Sequence, residues 1–174
     1  GGADKIAMVA NSDLWMMNVD GSDLVQLTSD GTEKLHLQWM PDGKTLIYVV
    51  GKCIQTMDTE EDRVDVVTCF QQAEFFDAIQ ISPSGKKIAI SMNRDLFIVP
   101  FDLEALAGAS RRSHLQDMGG CFYNDESVLG VRWSADETQI AMHFAGTSAN
   151  GTRADLIRII GISNCQSASA AVAT

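Results

Sequence analysis

Trp39-Met-Pro-Asp-Gly-Lys-Thr-Leu-Ile-Tyr48 is followed by two variants of itself, Ile81-Ser-Pro-Ser-Gly-Lys-Lys-Ile-Ala-Ile90 and Trp133-Ser-Ala-Asp-Glu-Thr-Gln-Ile-Ala-Met142. Each reads as a strand, a tight turn and a second strand. In the first, Pro41 pre-sets φ, Asp42 suits the turn, and Gly43 accepts a positive φ. Pro83 and Gly85 repeat that chemistry, whereas Ala135 and Glu137 replace it, so the third turn is expected to differ. The anchors Pro41, Pro83 and Ala135 lie 42 and then 52 residues apart. A period of about 40–50 residues in an all-β pattern points to β-propeller blades of four antiparallel strands. A third strand follows the second and is apolar on both faces: Leu14–Val19, Leu96–Phe101 and Leu156–Ile160. Strands covered above and below by neighbouring sheets need that composition. Trp39 and Trp133 hold equivalent repeat positions, which favours blade packing over ligand stacking.

These segments resemble the WD40-like PD40 repeats of the TolB-type β-propeller family. The family pattern is roughly W-S-P-D-G-K-x-I-A-F, then I-Y-V-M-D-x-D-G-S, then a short strand ending L-T. Trp39 to Tyr48 matches the first part, Leu14-Trp-Met-Met-Asn-Val-Asp-Gly-Ser22 the second, and Val25-Gln-Leu-Thr28 the third. The likeness covers about residues 5–162. It implies a propeller fold and, by analogy, a non-catalytic scaffold of the cell envelope.

Blades are expected at about 5–28, 35–69, 77–117 and 128–174, with an insertion at about 103–127 in which Leu103–Ala107 forms a helical turn. Lys5-Ile-Ala-Met-Val9 aligns with the second strand of a repeat, so the first blade lacks its innermost strand. Somewhat under four blades are expected. The sequence therefore reads as part of a ring, completed by a missing propeller half, a second copy or another protein. A four-bladed ring would need an innermost strand that is not visible.

The 174 residues are 45% apolar and 21% charged, which excludes disorder for most of the chain. No apolar run is long enough for a transmembrane helix. A net charge of −10 gives no general attraction to nucleic acid or to anionic lipid. The opening Gly1-Gly2-Ala3 reads as a processing boundary, and no signal-peptide pattern is visible within the sequence. The small-residue run Ser167–Thr174 reads as a weak outer strand or a tail.

No catalytic constellation stands out. His36, His114 and His143 share no ligand spacing, and no metal or cofactor is expected. Gly146-Thr-Ser-Ala-Asn150 fails the G-x-S-x-G pattern at its last position. Gly43-Lys44, Gly51-Lys52 and Gly85-Lys86 lack the upstream glycine of a phosphate-binding loop and read as hairpin turns. Asn18-Val-Asp-Gly-Ser-Asp23 resembles the start of a calcium loop, but it lacks the later bidentate Glu and coincides with a repeat turn. Asp58–Asp62 reads as a solvated turn able to attract a cation or basic partner. Asn150-Gly-Thr152 is a glycosylation sequon, meaningful only in a eukaryotic secretory setting.

Two functions fit: a protein- or peptide-binding propeller using its loops or channel mouth, or an accessory propeller of an enzyme such as a prolyl-oligopeptidase-like peptidase, whose catalytic residues lie elsewhere. The first is preferred because nothing in the sequence does chemistry. The cysteines are Cys53, Cys69, Cys121 and Cys165. None forms a C-x-x-C pair. Their even number fits a periplasmic or extracellular setting. Cys53 and Cys69 are symmetric about Glu61, so a regular hairpin brings them opposite one another as a disulfide or as two free thiols. Cys121 and Cys165 can pair only through tertiary contact. A bridge between Cys53 and Cys69 closes a loop worth about 3 kcal/mol in the chain-entropy model. Non-reducing peptide mapping of protein matured in an oxidising compartment should recover the Cys53–Cys69 cross-link; two free thiols there would contradict it.

Overall fold

The computed structural model describes residues 4–71, 75–124, 127–147, 150–163 and 172–173. It divides into two compact units, Gly1–Gln71 and Gln72–Thr174. The first holds β1 (Lys5–Ala10), β2 (Asp13–Asn18) and β3 (Val25–Gln26), then β4 (Leu35–Trp39), β5 (Thr45–Val50), β6 (Cys53–Asp58) and β7 (Arg63–Cys69). The second holds β8 (Phe76–Ile81), β9 (Lys87–Met92) and β10 (Asp95–Pro100), helices α1 (Leu103–Ala107) and α2 (Arg112–Asp117), and then β11 (Cys121–Tyr123). It continues with β12 (Val128–Trp133), β13 (Gln139–Thr147), β14 (Arg153–Gly161) and β15 (Val172–Ala173). These strands form one three-stranded and three four-stranded antiparallel meanders, in chain order within each sheet. The fold is that of β-propeller blades.

One hydrogen bond recurs in every sheet. The residue after the third-strand position donates its N–H to the carbonyl of the residue before the second. Val19 reaches Asp4 (3.3 Å), Thr59 reaches Lys44 (3.0 Å), Phe101 reaches Lys86 (2.9 Å) and Ile162 reaches Thr138 (2.9 Å). This bond ties each hairpin to the connection that follows it. Val19, β1 and β2 occupy the same places as their counterparts, and Lys5–Ala10 takes the second-strand role among three strands.

The third turn corrects the sequence expectation: it does not differ. Gly43, Gly85 and Glu137 each donate to the residue three before, namely Met40, Ser82 and Ser134, at 3.0, 2.9 and 3.1 Å. All three are left-handed, with φ of 76°, 74° and 57°. Such a φ is costly for a residue with a Cβ. Two contacts hold Glu137 there. Asp136 accepts from the Thr138 N–H at 3.1 Å, and the Glu137 carboxylate accepts from the Ser84 N–H and, at 3.0 Å, from its hydroxyl.

The third sheet also runs past the expected boundary at 117. Residues 112–117 are helical, and the fourth strand is Cys121–Tyr123, paired with Leu96–Ile98. Asp102 caps α1 by accepting from the Glu104 and Ala105 N–H groups. Gly120, at φ 98°, brings the chain against the Ile98 carbonyl, where a Cβ would collide.

The Cys53–Cys69 hairpin is not regular. Its closing pair is Asp58–Arg63, a register that would set Cys53 opposite Thr68. A bulge at Val67 adds one residue to β7 and moves Cys69 into place. The two cysteines are disulfide-bonded, with Cα atoms 4.0 Å apart. Cys121 is also disulfide-bonded, to a partner outside the described residues, where Cys165 lies too.

In the first unit Leu14, Leu46, Tyr48 and Met57 form a core joined by Ala7, Leu27 and Trp39. Beside it Lys34 is buried. Its ammonium donates to Asp30 (2.6 Å) and to the carbonyls of Ser12 (3.0 Å) and Thr32 (2.8 Å), and it lies 3.5 Å from Asp13. Burial works to raise the Asp13 pKa, but hydrogen bonds from Thr28 and Gly31 and the charge of Lys34 hold it below the ordinary carboxyl range. The Lys34 hydrogen bond does the same for Asp30. Groups with depressed native pKa stabilise the fold above their unfolded pKa of about 3.9, and that stability is lost as pH falls through the native value. Lys34→Met should therefore lower the urea midpoint at neutral pH and shrink the loss between pH 5 and about pH 2.5. Parallel midpoint-against-pH curves for variant and wild type would contradict this account.

Candidate interaction surfaces

The hairpin turns of the second unit build a cleft of about 570 Å³. Ile98, Val99 and Pro100, at the end of β10, and Ile162, just beyond β14, give it an apolar floor. Lys86, Lys87 and Glu137 stand at its rim. The β8–β9 and β12–β13 turns meet because Trp133 donates its indole N–H to the Gln80 carbonyl at 3.0 Å and Glu137 grips Ser84. Ser91 adds a buried bond from its hydroxyl to the Val128 carbonyl at 2.8 Å. The Ser84 hydroxyl and N–H hold the Glu137 carboxyl below its usual pKa, so it stays ionised. A floor of this kind suits an apolar side chain, and the two lysines suit a carboxylate beside it.

The other repeat anchors make contacts within their own sheets and turns. Trp39 packs on the core of the first unit, and Asp42 accepts from the Lys44 and Thr45 N–H groups in its turn, as Asp136 does from Thr138. Pro41 and Pro83 begin the turns whose left-handed residues are Gly43 and Gly85. In the calcium-like stretch, Asn18 donates to Ser22 and Asp23, and Ser22 donates to Asp20, which closes the turn on itself. Asp58 accepts from the Glu60 and Glu61 N–H groups and pairs with Lys44 at 3.5 Å.

The histidines are not brought together. His36 lies in β4 at a positive φ, His114 accepts from the Ser110 N–H in α2, and His143 lies 3.3 Å from Asp155 on the sheet of β13 and β14. Among the described residues, no group of three His, Cys, Asp or Glu is placed to hold a metal ion. Ser148 and Ala149 lie outside the described residues; in the sequon, Asn150 accepts from the Thr152 N–H and hydroxyl. Sequence reasoning missed the cleft, because its lining is drawn from five separated stretches. The pairing of the Trp133 and Glu137 positions with Gln80 and Ser84, each 53 residues earlier, was the available signal.

No family model matches the sequence, and no curated protein matches it. Solved structures do. Hydrazine synthase of Kuenenia stuttgartiensis superposes with a TM-score of 0.67 at 10% identity, over 99% of this chain and 47% of that one. TolB from Acinetobacter baumannii gives 0.63 at 20% identity, over 94% of this chain and 40% of that one. A chain of a nidogen–laminin complex gives 0.64 at 7% identity, over 98% and 60%. These likenesses show the β-propeller fold, and the chain spans about half the length of these three structures. No helix among the described residues is long and apolar enough to cross a membrane.

Glu137 offers a test of how the turn and the cleft rim are held. Glu137→Ala keeps the left-handed strain and loses the Ser84 bonds, whereas Glu137→Gly loses the bonds and relieves the strain. Thermal melts should rank wild type and Glu137→Gly above Glu137→Ala. Equal melting of the two variants would mean that the backbone strain is absent.

Proposed function

We propose that the chain is a non-catalytic, TolB-like propeller module that binds a protein or peptide partner and works in the periplasm or outside the cell. The observation that carries this is the turn-end cleft: an apolar floor on the ends of rigid strands, rimmed by Lys86, Lys87 and Glu137. Sites of this shape hold an anchoring side chain, with polar groups setting its orientation. The turn carboxylates Asp20, Asp42, Asp58 and Asp136 support a non-catalytic reading, since their hydrogen bonds cap turns. The Cys53–Cys69 bridge and the disulfide-bonded Cys121 support an oxidising compartment.

The similarity to hydrazine synthase favours a second reading, an accessory propeller of an enzyme. A parent reading frame that encodes a hydrolase domain with a G-x-S-x-G elbow would favour it over the first. Selection from a displayed peptide library tests the binding reading directly. Enriched peptides should carry a large apolar residue next to an acidic one. Their affinity should fall by about tenfold or more in Ile162→Glu or Lys86→Glu. Failure to enrich any sequence, or equal affinity in both variants, would overturn it.

A further inference from the structure

Three turns share a local pattern of acid or amide, glycine and hydroxyl residue: Asp20-Gly21-Ser22, Asp30-Gly31-Thr32 and Asn150-Gly151-Thr152. In each, Oδ1 of the first side chain accepts from the N–H two residues on. The distance is 2.9 Å at Asp20 and Asp30, and 3.3 Å at Asn150. Ser22 and Thr152 also donate their hydroxyls to that oxygen, at 2.6 and 2.7 Å. The three glycines are left-handed, with φ of 86°, 64° and 81°. A Cβ added at any of them would meet nothing within 4 Å. The turns therefore match in geometry, and the chemistry of the first residue sets them apart.

That difference decides reactivity. Hydrogen bonds from Ser22 and from Lys34 hold the Asp20 and Asp30 carboxyls below the ordinary range, so both stay ionised and repel a nucleophile. The Asn150 amide is neutral and has no such protection. Of the six asparagines, Asn11, Asn18, Asn93, Asn124, Asn150 and Asn164, only Asn150 precedes a glycine. Glycine leaves the following backbone nitrogen without a side chain to hinder it. Asn150, Gly151 and Thr152 are all exposed, in the turn that joins β13 to β14, so water and hydroxide reach them. Thr152 places two donors on the oxygen where negative charge would develop if the Asn150 carbon were attacked.

We propose that Asn150 is a self-modification site, at which the Asn150-Gly151-Thr152 turn converts its own amide to a carboxylate. Hydroxide takes the proton of the Gly151 backbone nitrogen, and that nitrogen attacks Cγ of Asn150. A C–N bond forms, and the carbonyl electron pair moves to Oδ1, where the Thr152 N–H and hydroxyl hold it. The pair then returns, the Cγ–Nδ2 bond breaks, and the nitrogen leaves as ammonia with a proton from water. Water opens the resulting five-membered imide at one of its two carbonyls, which gives aspartate or isoaspartate. One water is consumed, one ammonia is released, nothing is oxidised or reduced, and the chain gains one negative charge. The aspartate product recreates the carboxylate turn of Asp20 and Asp30, with charge-assisted hydrogen bonds in place of neutral ones. The same conversion removes the glycosylation sequon. None of this depends on what the turn-end cleft binds.

The test is peptide mass spectrometry of the oxidised chain held for days at about pH 8 and 37 °C, reading amide-to-acid conversion at each asparagine. Asn150 should convert about tenfold or more faster than Asn11, Asn18, Asn93 and Asn124 in the same sample. Thr152→Val keeps the backbone donor and loses the hydroxyl. It should slow conversion of the folded chain about fivefold or more and change nothing in concentrated urea, where the turn is absent. Thr152→Ser restores the hydroxyl and should restore the rate. Circular dichroism confirms that each variant is folded; if Thr152→Val is not, Thr152→Ala takes its place and is read the same way. Asn150 converting no faster than the other asparagines would overturn the proposal. So would a folded hydroxyl-free variant that converts as fast as wild type.

Discussion

Strands such as β5 and β10 are apolar on both faces, and that constraint shapes the rest of the molecule. An antiparallel sheet with one wet face alternates apolar and polar residues; Thr45–Val50 and Leu96–Val99 do not. Ile47 and Tyr48 are adjacent, point to opposite faces, and are both buried. Sheets of this composition are stable only when stacked. Burying one large aliphatic or aromatic side chain is worth about 1.5–3 kcal/mol, against about 5–15 kcal/mol for a whole domain. Leaving a few such side chains uncovered therefore costs as much as the stability of a whole domain.

Stacking also explains where the polar bonds run. In the second unit, the contact between the sheets of β8–β11 and β12–β15 combines an apolar interior with hydrogen bonds from Trp133, Ser84 and Ser91 along it. Those bonds fix the register of one sheet on the next, which apolar packing alone does not do. In the first unit a buried ammonium, Lys34, gathers the turn before β2 and the loop before β4. The cost of burying that charge is offset by two carboxylates and two carbonyls. The turn-end cleft exists because the same register brings two hairpin turns side by side.

Much of this was legible in the amino-acid order. The Pro-Asp-Gly-Lys turn, its repeat, and the doubly apolar third strands were enough to infer blades, and the two tryptophans took the packing role their equivalence suggested. What escaped was whatever depends on a single residue's tertiary partner. Glu137 adopts a glycine-like conformation because Ser84, 53 residues away, supplies its donors. Val67 bulges, so the symmetry of Cys53 and Cys69 about Glu61 is not that of the turn itself. The strand Cys121–Tyr123 has only three residues and follows two short helices, so no periodicity could announce it. The cleft was invisible for the same reason, since no single stretch contains it.

The central claim is that, within each unit, apolar strands are buried by the stacking of one sheet on the next. Hydrogen exchange read by mass spectrometry tests it most directly. Amides of β5, β6, β9 and β10 should be strongly protected at every protein concentration. Protection of the exposed strand β3 should be weaker. Exchange of β9 and β10 as fast as that of β3 would contradict the account.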